Sequence, residues 1–182
     1  TYCRYCTRSR VVGHGTLRLA VLGPEPRAPT SAELATLGRL VRQALDEGAF
    51  GLSAGLAYAP GIFAQNDELL PLFRAAAEGG GLVTVHGRAY SWVSALYRPM
   101  IGGTAHNIRS VRELLDLARR SGARLPLSHQ IMVGRRPWRT YWRVLRDIDA
   151  AIAAGLDVAF DAFPYTVGNT TIKVVFPAWF LK

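Results

Sequence analysis

The sequence holds 182 residues, 49% of them hydrophobic and 19% charged, enough apolar material for one sizeable core and too much for a disordered chain. Its formal charge of +9 does not read as a nucleic-acid footprint. Lys173 and Lys182 are the only lysines, and the arginines are scattered apart from short concentrations at 4–10 and 135–146, which suits solvated helix faces. No apolar run reaches the roughly 18 residues of a membrane span, and TYCRYCTRSR has no signal-peptide core, so a cytoplasmic location is expected.

The chain opens on Cys3 and Cys6, a lone CRYC with no second pair to complete a zinc site, and residues 1–10 are expected to form a frayed or atypical segment. A weak strand over 10–13 leads to His14 in VVGHGTLR. Arg18 stands where a dinucleotide fingerprint needs its third glycine, so the glycines are read as a tight turn with His14 on a loop or rim. Thr30 and Glu33 form a capping box before Leu34, Leu37, Leu40, Val41, Ala44 and Leu45, predicting a helix over 31–47. AFGLS at 49–53 predicts a strand ending at Ser53. A less regular helix over 66–78 precedes LVTVH at 82–86, a strand ending at His86.

Ser110 and Glu113 repeat the capping signature ahead of Val111, Leu114, Leu115 and Ala118, with His106 read as loop. RLPLSH at 124–129 predicts a strand ending at His129, although Pro126 lacks the N–H an internal strand should donate. Tyr141, Val144, Leu145, Ile148 and Ile152 mark a further helix, and DVAFD at 157–161 a strand closing on Asp161. Gly48, Gly81, Gly122 and Gly155 precede these four strands as helix terminators. Strand-helix alternation with near-continuous apolar strands implies an α/β fold with a parallel sheet covered on both faces.

His14, Ser53, His86, His129 and Asp161 therefore fall at or just beyond strand C-termini. That rim carries the active site of a (β/α)8 barrel, and a doubly wound sheet uses the same edge. His86 and His129, 43 residues apart, match one strand-to-strand step, so both rings can point at one position. Neutral imidazoles are common zinc ligands, and a catalytic zinc site keeps one position for water. GLSAG at 51–55 matches the G-x-S-x-G elbow of serine hydrolases. The elbow needs a helix at once, whereas LAYAPGIF comes next with Pro60 and Gly61, and the only aspartates between Ser53 and His129 are Asp67 and Asp116.

EGAFGLSAGLAYAPG at 47–61, together with VVGHGTLR before it and VTVHGR, LSH and DAFPYTVGNTT after it, resembles the motif series of the N-acyl-D-amino-acid deacylases, or D-aminoacylases, of the amidohydrolase superfamily. The resemblance runs from Val11 to the C-terminus. It implies that 11–182 are a partial (β/α)8 TIM-like barrel, about strands three to seven and incomplete at both ends, which agrees with a chain that begins at Thr1 and stops after FPAWFL. It implies zinc held by His86 and His129, with Tyr58, Arg88 and Tyr165 facing substrate: the phenols donating to an oxyanion or carboxylate, the guanidinium gripping a carboxylate.

The implied reaction is hydrolysis of an N-acyl-D-amino acid to a D-amino acid and a carboxylate, with a small-molecule amide as partner and neither membrane nor nucleic acid. The family's His-x-His pair, cysteine ligand and proton-handling aspartate have no counterpart here, and Cys3 and Cys6 do not sit in its cysteine motif. The isolated chain is thus expected to be inactive. Ile131 stands where a basic residue is common, and AYSW comes after VTVHGR where an acidic residue is common, which widens the substrate to related amides or lactams. The competing readings are a serine esterase built on Ser53 and a non-catalytic basic binding module.

Overall fold

A computed structural model describes residues 10–99 and 102–170. Five strands, β1 (Val11–Gly13), β2 (Gly51–Gly55), β3 (Leu82–His86), β4 (Leu125–Leu127) and β5 (Val158–Phe160), pair in parallel in the order β1-β2-β3-β4-β5. The order runs with the sequence, so no switch point of a doubly wound sheet occurs among the described strands. Between the strands lie α1 (His14–Leu22), α2 (Ser31–Asp46), α3 (Asn66–Glu78), α4 (His106–Ser121), the short α5 (Arg135–Trp138) and α6 (Tyr141–Ala153). The CRYC pair and Lys173 lie outside the described residues.

The helices pack on one face of the sheet. Leu52, Val83, Val85, Leu125 and Leu127 from the strands meet Leu37, Val41, Leu69, Leu72, Phe73, Ile108 and Leu114 in a single buried core. Burying side chains of this size contributes roughly 1.5–3 kcal/mol each, more than any surface ion pair here. The opposite face carries Ser53, Thr84 and Ser128 and is only half-buried, so the expectation of helices over both faces is not met by the described residues. Strand alternation was masked in the sequence because Ala54, Leu82 and Gly55 are apolar on either face.

Local chemistry explains most element boundaries. The α2 capping box forms as expected, Glu33 N–H donating to Thr30 Oγ1 at 3.3 Å and Thr30 N–H to Glu33 Oε2 at 2.7 Å. The strand expected at 49–53 starts two residues later, because Ala49 N–H still closes the end of α2 on Ala44 O. Gly51 comes next, where any Cβ would lie 1.9 Å from Leu82 O, and a Cβ on Gly61 would lie 2.1 Å from Gly55 O. Both glycines of the FGLSAGL and PG segments thus serve close backbone approach. Pro126 does sit in β4. Leu125 N–H and Leu127 O bond β5, so by alternation Pro126 turns its backbone to β3, whose ladder with β4 loses one donor.

Three expectations fail. Helix α4 starts at His106 rather than after Ser110, because Ser110 Oγ turns inward to accept from Ala89 N–H at 3.2 Å instead of capping. His106 is buried, not loop: its Nδ1 accepts from Ser94 N–H at 2.8 Å and its Nε2 reaches Pro99 O at 3.1 Å. His14 begins α1 rather than ending in a turn.

Candidate metal centre

His86 is the last residue of β3, and its Nδ1 lies 3.0 Å from Gly87 O. A carbonyl only accepts, so Nδ1 carries the proton and the lone pair of Nε2 faces outward, 3.3 Å from Tyr58 Oη. His129 lies two residues beyond β4 with φ at 33°, a left-handed conformation that a non-glycine residue adopts only when its surroundings hold it there. Part of that hold is the Asp161 carboxylate, which accepts from His129 N–H, while Gln130 N–H donates to Asp161 O at 2.7 Å. The two imidazoles converge edge to face, 4.7 Å between centroids and 81° apart. His129 Nδ1 is buried and without a hydrogen-bond partner among the described residues, a state that costs free energy unless something occupies it.

Electrostatics favour neutral rings. Burial lowers the His86 pKa below the ordinary 6.5, and the neighbouring His129 lowers it further. A neutral imidazole with one nitrogen fixed as donor offers the other as a ligand, the arrangement that fits a divalent metal. Among the described residues no group of three His, Cys, Asp or Glu side chains is gathered for a metal.

The histidines open onto a cleft of about 1290 Å³ whose walls include Tyr58, Arg88, Tyr90, Phe163 and Tyr165. Tyr58 is close enough to the His86 ring to donate to it, and its hydroxyl also lies 3.2 Å from Thr170 Oγ1. Tyr165 is largely exposed at the outer wall, next to Phe163. Arg88 reaches the cleft but is not a free fork. Its Nε donates to Glu113 Oε1 at 3.0 Å and one Nη to Ala64 O at 2.5 Å, while Tyr97 donates its hydroxyl to the other Glu113 oxygen.

Of the other polar strand ends, Asp161 holds the His129 backbone, but His14 and Ser53 do not join this group. His14 is fully buried, its Nε2 2.8 Å from Glu68 Oε1, and Glu68 Oε2 accepts from Arg18 at 2.6 Å. It is a core residue rather than a rim residue. Ser53 lies in the middle of β2, paired with Gly13 and Thr84, and after β2 the chain enters a turn and a 3-10 segment at Gly61–Phe63 rather than a helix. No hydrogen bond joins Ser53 to a histidine among the described residues, so the elbow geometry of a serine hydrolase is missing.

No protein-family model matches the chain. Over 164 residues, 90% of its length, it is 38% identical to the N-acyl-D-glutamate deacylase of Alcaligenes xylosoxydans xylosoxydans, and over 163 residues it is 30% identical to the D-aminoacylase of the same organism. Its fold superposes with a TM-score of 0.75 and 35% identity on the N-acyl-D-glutamate deacylase of Bordetella bronchiseptica, a crystal structure with zinc and a phosphonate mimic of the tetrahedral intermediate, over 86% of this chain and 30% of that one. A D-aminoacylase structure said to define a novel subset of amidohydrolases matches at 0.75 and 29% identity over 87% of this chain and 30% of that one.

Over 90% of its length the chain is similar to N-acyl-D-amino-acid deacylases. It spans about 31% of the length of the curated relatives it matches. Within this segment the sequence pattern did not reveal Tyr90, whose ring lies 5.0 Å from His86 and 5.1 Å from His129 and whose buried phenol is pushed above the ordinary tyrosine range, so that it stays protonated. Nor did it reveal Glu113 as the partner of Arg88, because Glu113 reads as half of a capping box. Nothing in the spacing of either residue signals its role.

Proposed function

We propose that the chain is the central part of a zinc-dependent deacylase that hydrolyses a linear amide, an N-acyl-D-amino acid, to the D-amino acid and a carboxylate. The observation that carries this reading is the convergence of His86 and His129 from neighbouring strand ends on one cleft. The sequential strand order, with helices on one face, supports a (β/α)8 barrel to which 11–182 would contribute about strands three to seven, residues 1–10 being a separate segment. The remaining ligands and the proton-handling acid would come from outside this segment, which makes the isolated chain inactive.

His86 through Nε2, and His129 through the ring whose Nδ1 is unpartnered, would hold the metal. Zinc at such a site supplies polarisation of the amide carbonyl and a water of pKa about 7. Tyr58, whose hydroxyl lies at the His86 ring, donates a hydrogen bond where negative charge gathers on the carbonyl oxygen. The Arg88 Nη engaged by neither Glu113 nor Ala64 would donate to the substrate carboxylate, and Tyr165 with Phe163 lines the outer wall. With Ile131 rather than a basic residue beside His129, the amino-acid side chain meets an apolar wall there.

The test is metal content and turnover of the protein carrying this chain. Zinc should be retained by the wild type and lost from His86→Ala and His129→Ala together with hydrolysis of N-acyl-D-amino acids, while Ser53→Ala keeps both. Metal-independent turnover abolished by Ser53→Ala would replace this reading with the serine esterase.

A further inference from the structure

The seam between the two histidine strands is the weak point of the sheet. β2 and β3 pair through five residues each, Gly51 to Gly55 against Leu82 to His86, whereas β3 and β4 pair at Val85 and Leu127 with one bridge between Leu82 and Arg124. Pro126 faces β3 and brings no N–H. The last rung is Ser128 N–H to Val85 O at 3.0 Å, and beyond it the His86 carbonyl turns away to accept from Leu56 N–H at 2.9 Å. Backbone pairing therefore stops one residue short of both imidazoles, and the ladder by itself does not set their separation.

Tyr90 fills that gap. Its hydroxyl accepts from Gly87 N–H at 2.9 Å and donates to Ser128 O at 3.0 Å. Gly87 directly follows His86 and Ser128 directly precedes His129, so a single oxygen joins the two strand ends one residue from each ring. The Tyr90 main chain is itself fixed, its carbonyl accepting from Val133 N–H at 2.9 Å, and its ring packs against both imidazoles. Thr84 and Ser128, with hydroxyls 3.2 Å apart, brace the same seam one layer below.

We propose that Tyr90 is a positioning residue: its hydroxyl clamps the ends of β3 and β4 and so sets the spacing of His86 and His129 for a divalent metal ion. The inference rests on the reading that these histidines hold the metal. Phenylalanine keeps the ring and removes both bonds, so the effect of Tyr90→Phe is carried by the clamp. A partner that orients ligands without touching the metal typically changes affinity by about 10- to 100-fold.

The experiment titrates the metal-free protein carrying this chain with cobalt(II), reading affinity by chelator competition and ligand geometry by the d–d absorption band. Tyr90→Phe should bind cobalt about tenfold more weakly with an altered band. Equal affinity and an unchanged band would overturn the clamp, even if the variant melts earlier, since loss of packing alone lowers the melting temperature without moving the band. His86→Ala and His129→Ala separate the two ideas: cobalt binding that survives both removes the metal reading and the clamp with it, whereas binding lost in both but unaffected in Tyr90→Phe removes only the clamp. Should Tyr90→Phe not fold, hydrogen exchange of the wild-type Gly87 amide decides. Slow exchange supports the bond to Tyr90, and exchange at the rate of an open loop overturns it.

Discussion

Replacing Glu68 by alanine tests the buried cluster that fixes α1. Arg18 is fully buried, and its guanidinium is met by Glu68 Oε2 at 2.6 Å and by the carbonyl of Arg27. His14, also fully buried, depends on the other Glu68 oxygen. Removing the carboxylate leaves a guanidinium out of water with one neutral partner, and breaking a buried ion pair from one side costs about 3–5 kcal/mol. Exposed pairs such as Arg120 with Asp116 contribute roughly 0–1 kcal/mol, so the expected loss lies well outside the surface range. With a urea dependence of roughly 2 kcal/mol/M, a loss of about 4 kcal/mol lowers the denaturation midpoint by about 2 M. Glu68→Gln keeps an acceptor and the shape and should lose less, and Arg18→Met with Glu68→Leu should recover much of the difference because no charge remains buried. Urea unfolding followed by circular dichroism provides the measurement. A loss below about 1 kcal/mol for Glu68→Ala would show that Arg18 reaches water or another acceptor and that the cluster does not hold α1.

Three further outcomes are expected. Arg27 and the Thr30 cap hold the Glu33 carboxyl at about 2 instead of 4.5, so its contribution is complete above pH 4.5 and is lost as pH falls toward about 2; thermal melts across that window should show Glu33→Gln with a flatter acid limb than the wild type. Burial and then His129 depress the His86 pKa below 6.5, so the unfolded chain takes up the proton first and the metal-free protein loses stability as pH falls below 6.5; melts of His86→Asn should lack that slope, and an identical slope would count against a neutral His86. Residues 1–182 expressed alone with zinc should hydrolyse no N-acyl-D-amino acid, and metal-dependent turnover sensitive to His86→Ala would refute the division of the site between this segment and others.

Much of the fold was legible because apolar spacing reports local periodicity. Leu37 and Val41 fall on the buried stripe of α2, and Thr30 with Glu33 caps it, all within one stretch of chain. His86 and His129 were legible for a related reason: each sits at or just after a short apolar strand, and parallel strands with their C-termini at one end bring such residues together whatever the details of packing. What lay beyond the sequence depends on partners far along the chain. His14 and Arg18 were drawn into the core by Glu68, 54 and 50 residues away, and no local pattern encodes that capture. Ser110 and Glu113 look like a capping box, yet one hydroxyl serves Ala89 and one carboxylate serves Arg88, since a buried donor left unpaired costs more than a cap contributes. The spacing of the two histidines was likewise decided in three dimensions. Composition and periodicity put both rings at the same end of the sheet, but Pro126 thins the ladder between their strands, and only the folded chain brings the Tyr90 hydroxyl to Gly87 and Ser128 to bridge it.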